Sequence, residues 1–178
     1  MLDDEYWVRA AVSGGFTRAG RIDAGLLTFE NAETFRAYCA QNTCGTYNAC
    51  WTCPPGVGPV KFCVAKVRSY KRALFVQYEE AGLQNNAGIS RVRAHFKSLM
   101  EEFAPMVRES YPDALALGSG GCRICPECAY PNNPCRHPDR MIQSVSAFCI
   151  DAGQACGLAG LPCWRDGYIS FTGIFLTG

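Results

Sequence analysis

Cys122, Cys125, Cys128 and Cys135 fall within fourteen residues in the order C-x2-C-x2-C-x6-C. Two-residue gaps let successive sulfurs turn inward on one small object, whereas disulfide partners approach in pairs and gain little from closing such short loops. The spacing is that of metal ligands. Gly118-Ser119-Gly120-Gly121 leads into the motif and allows backbone N–H groups to approach sulfur. Arg123, Arg136 and Arg140 can offset the negative charge of bound thiolates. His137 stands beside a ligand position and reads as a neighbour of the site, not as a ligand.

Iron and zinc compete for this array. Three closely spaced thiols, then a distant fourth followed by a basic residue and Pro138, resemble the bacterial ferredoxin run with a longer last gap and favour a [4Fe-4S] cluster. Zinc ribbons usually present two C-x2-C pairs far apart, so Zn2+ is the alternative. A second constellation, Cys39-x4-Cys44-x5-Cys50-x2-Cys53 followed by Pro54-Pro55-Gly56, is looser but could form another four-thiol site. The Cys50-x2-Cys53 step is a weaker match to a redox dithiol, because no strand leads into it and no helix starts directly after it. Trp51 reads as packing against the site.

The thiols have these roles only in a reducing compartment. Met1-Leu2-Asp3-Asp4-Glu5 is acidic where a signal peptide carries positive charge, and no uninterrupted apolar run follows, so the expectation is cytoplasmic, with thiols reduced. No apolar stretch approaches the roughly 18 residues of a membrane span. Seventeen basic and sixteen acidic residues, a formal net charge of +1, give no electrostatic reason to invoke nucleic acid or an anionic membrane. With 48% hydrophobic residues in 178, the chain can bury a core, and residues 1–178 read as a single cysteine-rich domain.

The elements that must position these loops follow a mixed pattern. Gly25–Phe29 reads as a short strand, and Asn31 as the cap of a helix to about Ala40 with Cys39 near its end. Pro59 suits a first helical position, before a stripe of Val60, Cys63, Val64 and Val67. Ala73–Tyr78 reads as a buried strand. Ile89, Val92, Phe96, Leu99, Met100 and Phe103 mark a long amphipathic helix that Pro105 should kink or end, and His95 falls on its polar side. Ala114–Leu117 is the next strand, so the four-thiol motif hangs from a strand end. Met141, Val145, Phe148, Cys149, Ala152 and Cys156 follow helical spacing, and Tyr168–Leu176 closes as a strand. The order fits an α+β or α/β fold, a single sheet with helices packed on it and cysteine-rich loops. Cys63, Cys149 and Cys156 lie on apolar stripes and read as core residues, with Cys63 also open as a completing ligand of the first block if Cys50 is not. Cys163 has no partner nearby in sequence.

Cys39, Cys44, Tyr47, Trp51-x-Cys53-Pro54-Pro55, Gly121-Cys122-x2-Cys125-x2-Cys128, Pro134-Cys135-Arg136-His137-Pro138, Ser144 and Ile150-Asp151 together resemble the predicted metal-binding family known as domain of unknown function 2284. The resemblance runs from Cys39 to the last strand, and the two cysteine blocks in this order are its specific part. It implies cysteine-bound metal, iron–sulfur in kind, with Cys39, Cys44, Cys53, Cys122, Cys125, Cys128 and Cys135 as ligands, one or two clusters, and no established reaction. Cys50 is not part of that pattern. Three thiols in the first block would leave an open iron for a substrate or small ligand. The chain departs from the pattern at Ile142 and Ser146, where the family has arginine and glutamate, and at Asn48-Ala49, where it has glycine and lysine.

Three functions are compatible with these residues. The first is an iron–sulfur protein passing electrons to a redox partner protein or a substrate. The second is a zinc-stabilised, non-catalytic interaction module, in which loss of a structural zinc worth about 10–16 kcal/mol would unfold a domain stable by about 5–15. The third is a metal- or cluster-handling protein with exchangeable cargo. No H-E-x-x-H, P-loop or nucleophile elbow is present, and His95 and His137 are the only histidines. Whether the protein is an enzyme stays open at this level.

Overall fold

Ala73-Leu74-Phe75-Val76 is apolar at every position because both faces of its strand are covered. The computed structural model describes residues 4–82 and 85–178, so the acidic start Met1–Asp3 lies outside the described residues. Five strands, β1 (Arg18–Asp23), β2 (Arg72–Ala81), β3 (Leu115–Gly118), β4 (Gln143–Ser144) and β5 (Tyr168–Thr177), form one sheet in the order β1-β2-β5-β3-β4. All neighbours are antiparallel except β3 and β4. With α1 (Asp4–Ser13), α2 (Ala32–Ala40), α3 (Val60–Arg68), α4 (Asn86–Ser110) and α5 (Ala152–Leu158), the fold is α+β.

The register aligns Phe75, Ile174 and Leu117 across three strands, and Leu74, Phe175 and Ala116 in the adjacent row. Successive side chains alternate between faces, so these two rows feed two separate cores. On one face Leu74, Val76, Ala116 and Phe175 meet Trp7 and Ala11 of α1 and Phe96, Met100 and Phe103 of α4. On the other, Phe75, Leu117 and Ile174 meet Cys63 and Val67 of α3, Phe148, and Cys156 of α5. The cysteines read as core residues are indeed buried: Cys63, Cys149 and Cys156.

Three local expectations are corrected. Gly25–Phe29 is not a strand: the Asp23 carboxylate accepts the Gly25 N–H at 2.7 Å and starts a 3-10 turn over Ala24–Leu26. The strand here is the preceding Arg18–Asp23, whose one buried residue, Ile22, leaves almost no periodic signal. The long helix does not stop at Pro105 but continues to Ser110. Pro105 lies on the exposed side, where water can take the freed carbonyl, while Phe103, Ala104 and Val107 stay buried on the sheet. Finally, the helical spacing from Met141 to Cys156 is not one helix. Gln143–Ser144 pairs with β3, a 3-10 turn covers Ser146–Phe148, Cys149 is left-handed at φ 60°, and Asp151 caps a new helix by accepting the Gln154 N–H. Val145 and the run Ala147–Ile150 are buried at consecutive positions, so the apolar spacing of this segment carries no helical meaning.

Phe75 is fully buried in the row that joins β2, β5 and β3. Phe75→Ala should lower the unfolding free energy by about 3–5 kcal/mol, read as a lower denaturant midpoint at unchanged slope.

Candidate metal centre

β3 ends at Gly118, and the chain leaves the sheet through Ser119-Gly120-Gly121, with Gly120 left-handed at φ 71°. This turn carries Cys122 against the first cysteine block. A Cβ on Gly121 would lie 2.9 Å from Thr46 Cγ2 and 3.2 Å from Cys50 Sγ, so only glycine permits the approach. The Cys122 N–H then donates to Thr52 Oγ1 at 2.9 Å, and that same hydroxyl lies 3.3 Å from Cys50 Sγ. Thr46 does the equivalent work on the other side: its Oγ1 lies 3.3 Å from Cys53 Sγ and 3.0 Å from Cys44 Sγ.

Aromatic packing closes the junction from outside. Trp51 Nε1 donates to the Asn133 carbonyl at 3.0 Å, and its ring meets Tyr130 edge-on at 4.9 Å. The Tyr130 hydroxyl donates to Asn48 Oδ1, and its ring covers Gly56 so closely that a Cβ there would come within 2.9 Å. Trp51 is therefore packing, as its sequence context suggests, and it ties the two blocks together. Asn48, one of the departures from the family pattern, takes part in the same contact. Ile142, another departure, packs against Gly118, where a Cβ would stand 3.0 Å from its Cγ2.

The thiols differ in electrostatic setting. Cys44 is lowered from its ordinary range, chiefly by the Thr46 hydroxyl. Cys50 is lowered by a hydrogen bond from Cys53, and further by Thr52 and the Cys122 N–H; Cys53, donating to Cys50 and buried, is raised in return. Cys122 is raised first by burial, then by the charges that Cys50, Cys135 and Cys128 would carry as thiolates. Cys122 is thus electrostatically coupled to both blocks. Arg136 Nη1 donates to the Glu127 carbonyl at 2.8 Å and braces the loop between Cys125 and Cys135.

Several participants carry no sequence signal. Lys97, on α4, donates to the Gly121 carbonyl at 2.6 Å, and burial lowers its pKa, with Arg123 adding to the effect. Thr46 and Thr52 look like ordinary loop residues until the fold brings sulfurs to them. Cys39 is set apart from the junction. It is raised by burial, and its nearest charged neighbours are Arg36, Cys44 and Cys149. Arg36 donates to the Gly58 and Ala147 carbonyls at 2.7 and 2.8 Å and reaches Cys63 Sγ at 3.4 Å. Between the two candidates for completing the first block, Cys50 lies beside Cys53 whereas Cys63 lies beside Arg36.

Among the described residues, no three or more Cys, His, Asp or Glu side chains converge tightly enough to hold an ion as they stand. The donor set nevertheless fits a soft metal. All twelve cysteines are unpaired thiols, and the charges that clustered thiolates would impose on one another are those a cation cancels.

Thr52→Val keeps the shape of a buried side chain but removes the hydroxyl shared by Cys122 and Cys50. Metal retention in a chelator competition should fall about 10–100-fold. Undiminished retention would mean that this hydroxyl does not couple the blocks.

No curated protein and no solved structure matches the chain. One family model does match, over residues 21–176, which include both cysteine blocks and all five β-strands apart from the first three residues of β1 and the last residue of β5. The chain therefore belongs to the family described as predicted metal-binding protein (DUF2284).

Proposed function

We propose that this metal-binding chain holds iron–sulfur and serves in electron transfer. Cys122, Cys125, Cys128 and Cys135 are the ligands of one [4Fe-4S] cluster. Cys39, Cys44 and Cys53 are ligands at the first block, where Cys50 is the neighbouring thiol. Such a cluster, when bound, supplies one-electron chemistry at a potential set by its hydrogen bonds and solvent exposure. The observation that supports this reading is the junction at Gly121, which brings Cys122 against Cys50 at one end of β3 and sets Cys44, Cys50, Cys53 and Cys122 among hydroxyl and N–H groups. Those donors would stabilise thiolates and tune potential, while Trp51 and Tyr130 limit water. The Cys125–Cys135 loop is only partly covered, so a redox partner protein could approach it.

A zinc-stabilised module is the second reading, favoured by one feature of the same junction. Cys50-x2-Cys53 meets the first step of Cys122-x2-Cys125, and two distant C-x2-C steps are the usual framework of structural zinc.

Anaerobic purification followed by iron, sulfide and zinc analysis separates the two. Iron with stoichiometric inorganic sulfide, and visible absorbance lost in Cys125→Ala, is the expected result. Zinc without sulfide would replace the iron–sulfur reading with the zinc one.

A further inference from the structure

Cys156 and Cys163, remote in sequence from both metal blocks, are brought together by a purpose-shaped turn. α5 ends at Leu158, left-handed Gly160 (φ 70°) reverses the chain, and the Leu161 N–H returns to the Cys156 carbonyl at 2.9 Å. Gln77, fully buried in the interior strand β2, then spends its amide on the Pro162 carbonyl at 2.7 Å. A buried amide in mid-sheet is costly unless paired, and here its pairing fixes the residue next to Cys163. The Cys163 thiol donates at 2.8 Å to the carbonyl of Gly153, in the α5 turn just before Cys156, whose own Sγ lies 3.5 Å from Thr172 Oγ1.

Both thiols line a pocket of about 350 Å³. Ile89, Trp164, Tyr168 and Phe171 give it apolar and aromatic walls, and Trp164 is 86% exposed. An indole left in water at the rim of such a pocket is available to a ligand. The thiols are unequal in access: Cys156 is 2% exposed, whereas Cys163 is half-buried.

We propose that Cys156 and Cys163 are a redox-active dithiol that exchanges with a disulfide ligand bearing an apolar flank, bound in this pocket. The accessible Cys163 attacks as thiolate. It forms a mixed disulfide with one sulfur of the ligand, R–S–S–R, and releases the other as a thiolate that takes up the proton Cys163 gave up. Cys156 then loses its proton and attacks the Cys163 sulfur, displacing the second RS⁻, which takes that proton. The two protein thiols are oxidised to one disulfide and the ligand is reduced to two RSH, with no other oxidant required. Burial raises Cys156 to about 11, which suits it to resolving a mixed disulfide after close approach and not to initial attack. The inference is independent of which metal the other cysteines hold.

Oxidised glutathione is the probe, applied anaerobically to the metal-containing protein in mixtures with reduced glutathione, then quenched by alkylation and read by tryptic mass spectrometry. Cys149, Cys156 and Cys163 share the tryptic peptide 141–165, so Cys149 is an internal control. The expected result is a 156–163 disulfide that falls at least about tenfold on return to reduced glutathione, with Cys149 still alkylated. In Cys156→Ser, Cys163 should retain glutathione as a mixed disulfide; in Cys163→Ser, modification of Cys156 should slow at least about tenfold. Recovery of both wild-type residues as alkylated thiols throughout, linkage to any other cysteine, or undiminished modification of Cys156 in Cys163→Ser would overturn the proposal. The wild-type measurement needs no variant to fold.

Discussion

Contact between the two cysteine blocks depends on the missing side chain at Gly121 and on the hydroxyl of Thr52. A methyl group at Gly121 would press into Thr46 and Cys50, and without the Thr52 oxygen the Cys122 N–H would lose its acceptor. Both requirements are steric or directional. A small displacement of the glycine loop therefore separates Cys122 from Cys50, even though every thiol remains in the chain.

The sheet sets where that loop begins. β3 is short and buried on both faces, so Gly118 leaves it in a direction already fixed by Leu117 against Ile174 and by the pairing with β4. α4 supports the same loop from the other layer through Lys97, whose ammonium is directed to the Gly121 carbonyl. An ammonium beside clustered thiols offsets negative charge as well as holding the backbone. The long helix that packs one core therefore also contributes to the electrostatics of the candidate centre.

Cysteine has at least three physical roles in this chain. Cys63 and Cys149 surround Arg36 in the interior, where burial raises Cys63 and the guanidinium partly opposes the effect. Cys44, Cys50, Cys53 and Cys122 lie among hydroxyl and N–H donors at a loop junction. Cys156 and Cys163 face a pocket across a tight turn. The same side chain is thus placed in three settings that differ in donors and exposure, the two properties that decide thiol chemistry.

Local chemistry made much of this legible. C-x2-C-x2-C spacing points to a common object regardless of fold, because it is a property of a few adjacent backbone units, while the described side chains as they stand do not converge on one. The unbroken apolar run around Phe75 and the stripe Val92, Phe96, Leu99, Phe103 are equally local, since burial of a strand on both faces and the helix period both act over neighbouring residues. What failed was local in form but tertiary in cause: the Met141–Cys156 spacing imitated a helix because Val145 and Ala147–Ile150 are buried at consecutive positions, and Pro105 was tolerated because its exposed side meets water. The partners of Gly121, Cys122 and Pro162 lie tens of residues away, in Lys97, Thr52 and Gln77. Sequence alone determined that sulfur would gather on short loops; only the tertiary structure decided which sulfurs meet, because close approach depends on contacts such as Gly121 on Thr46 that have no period and no motif.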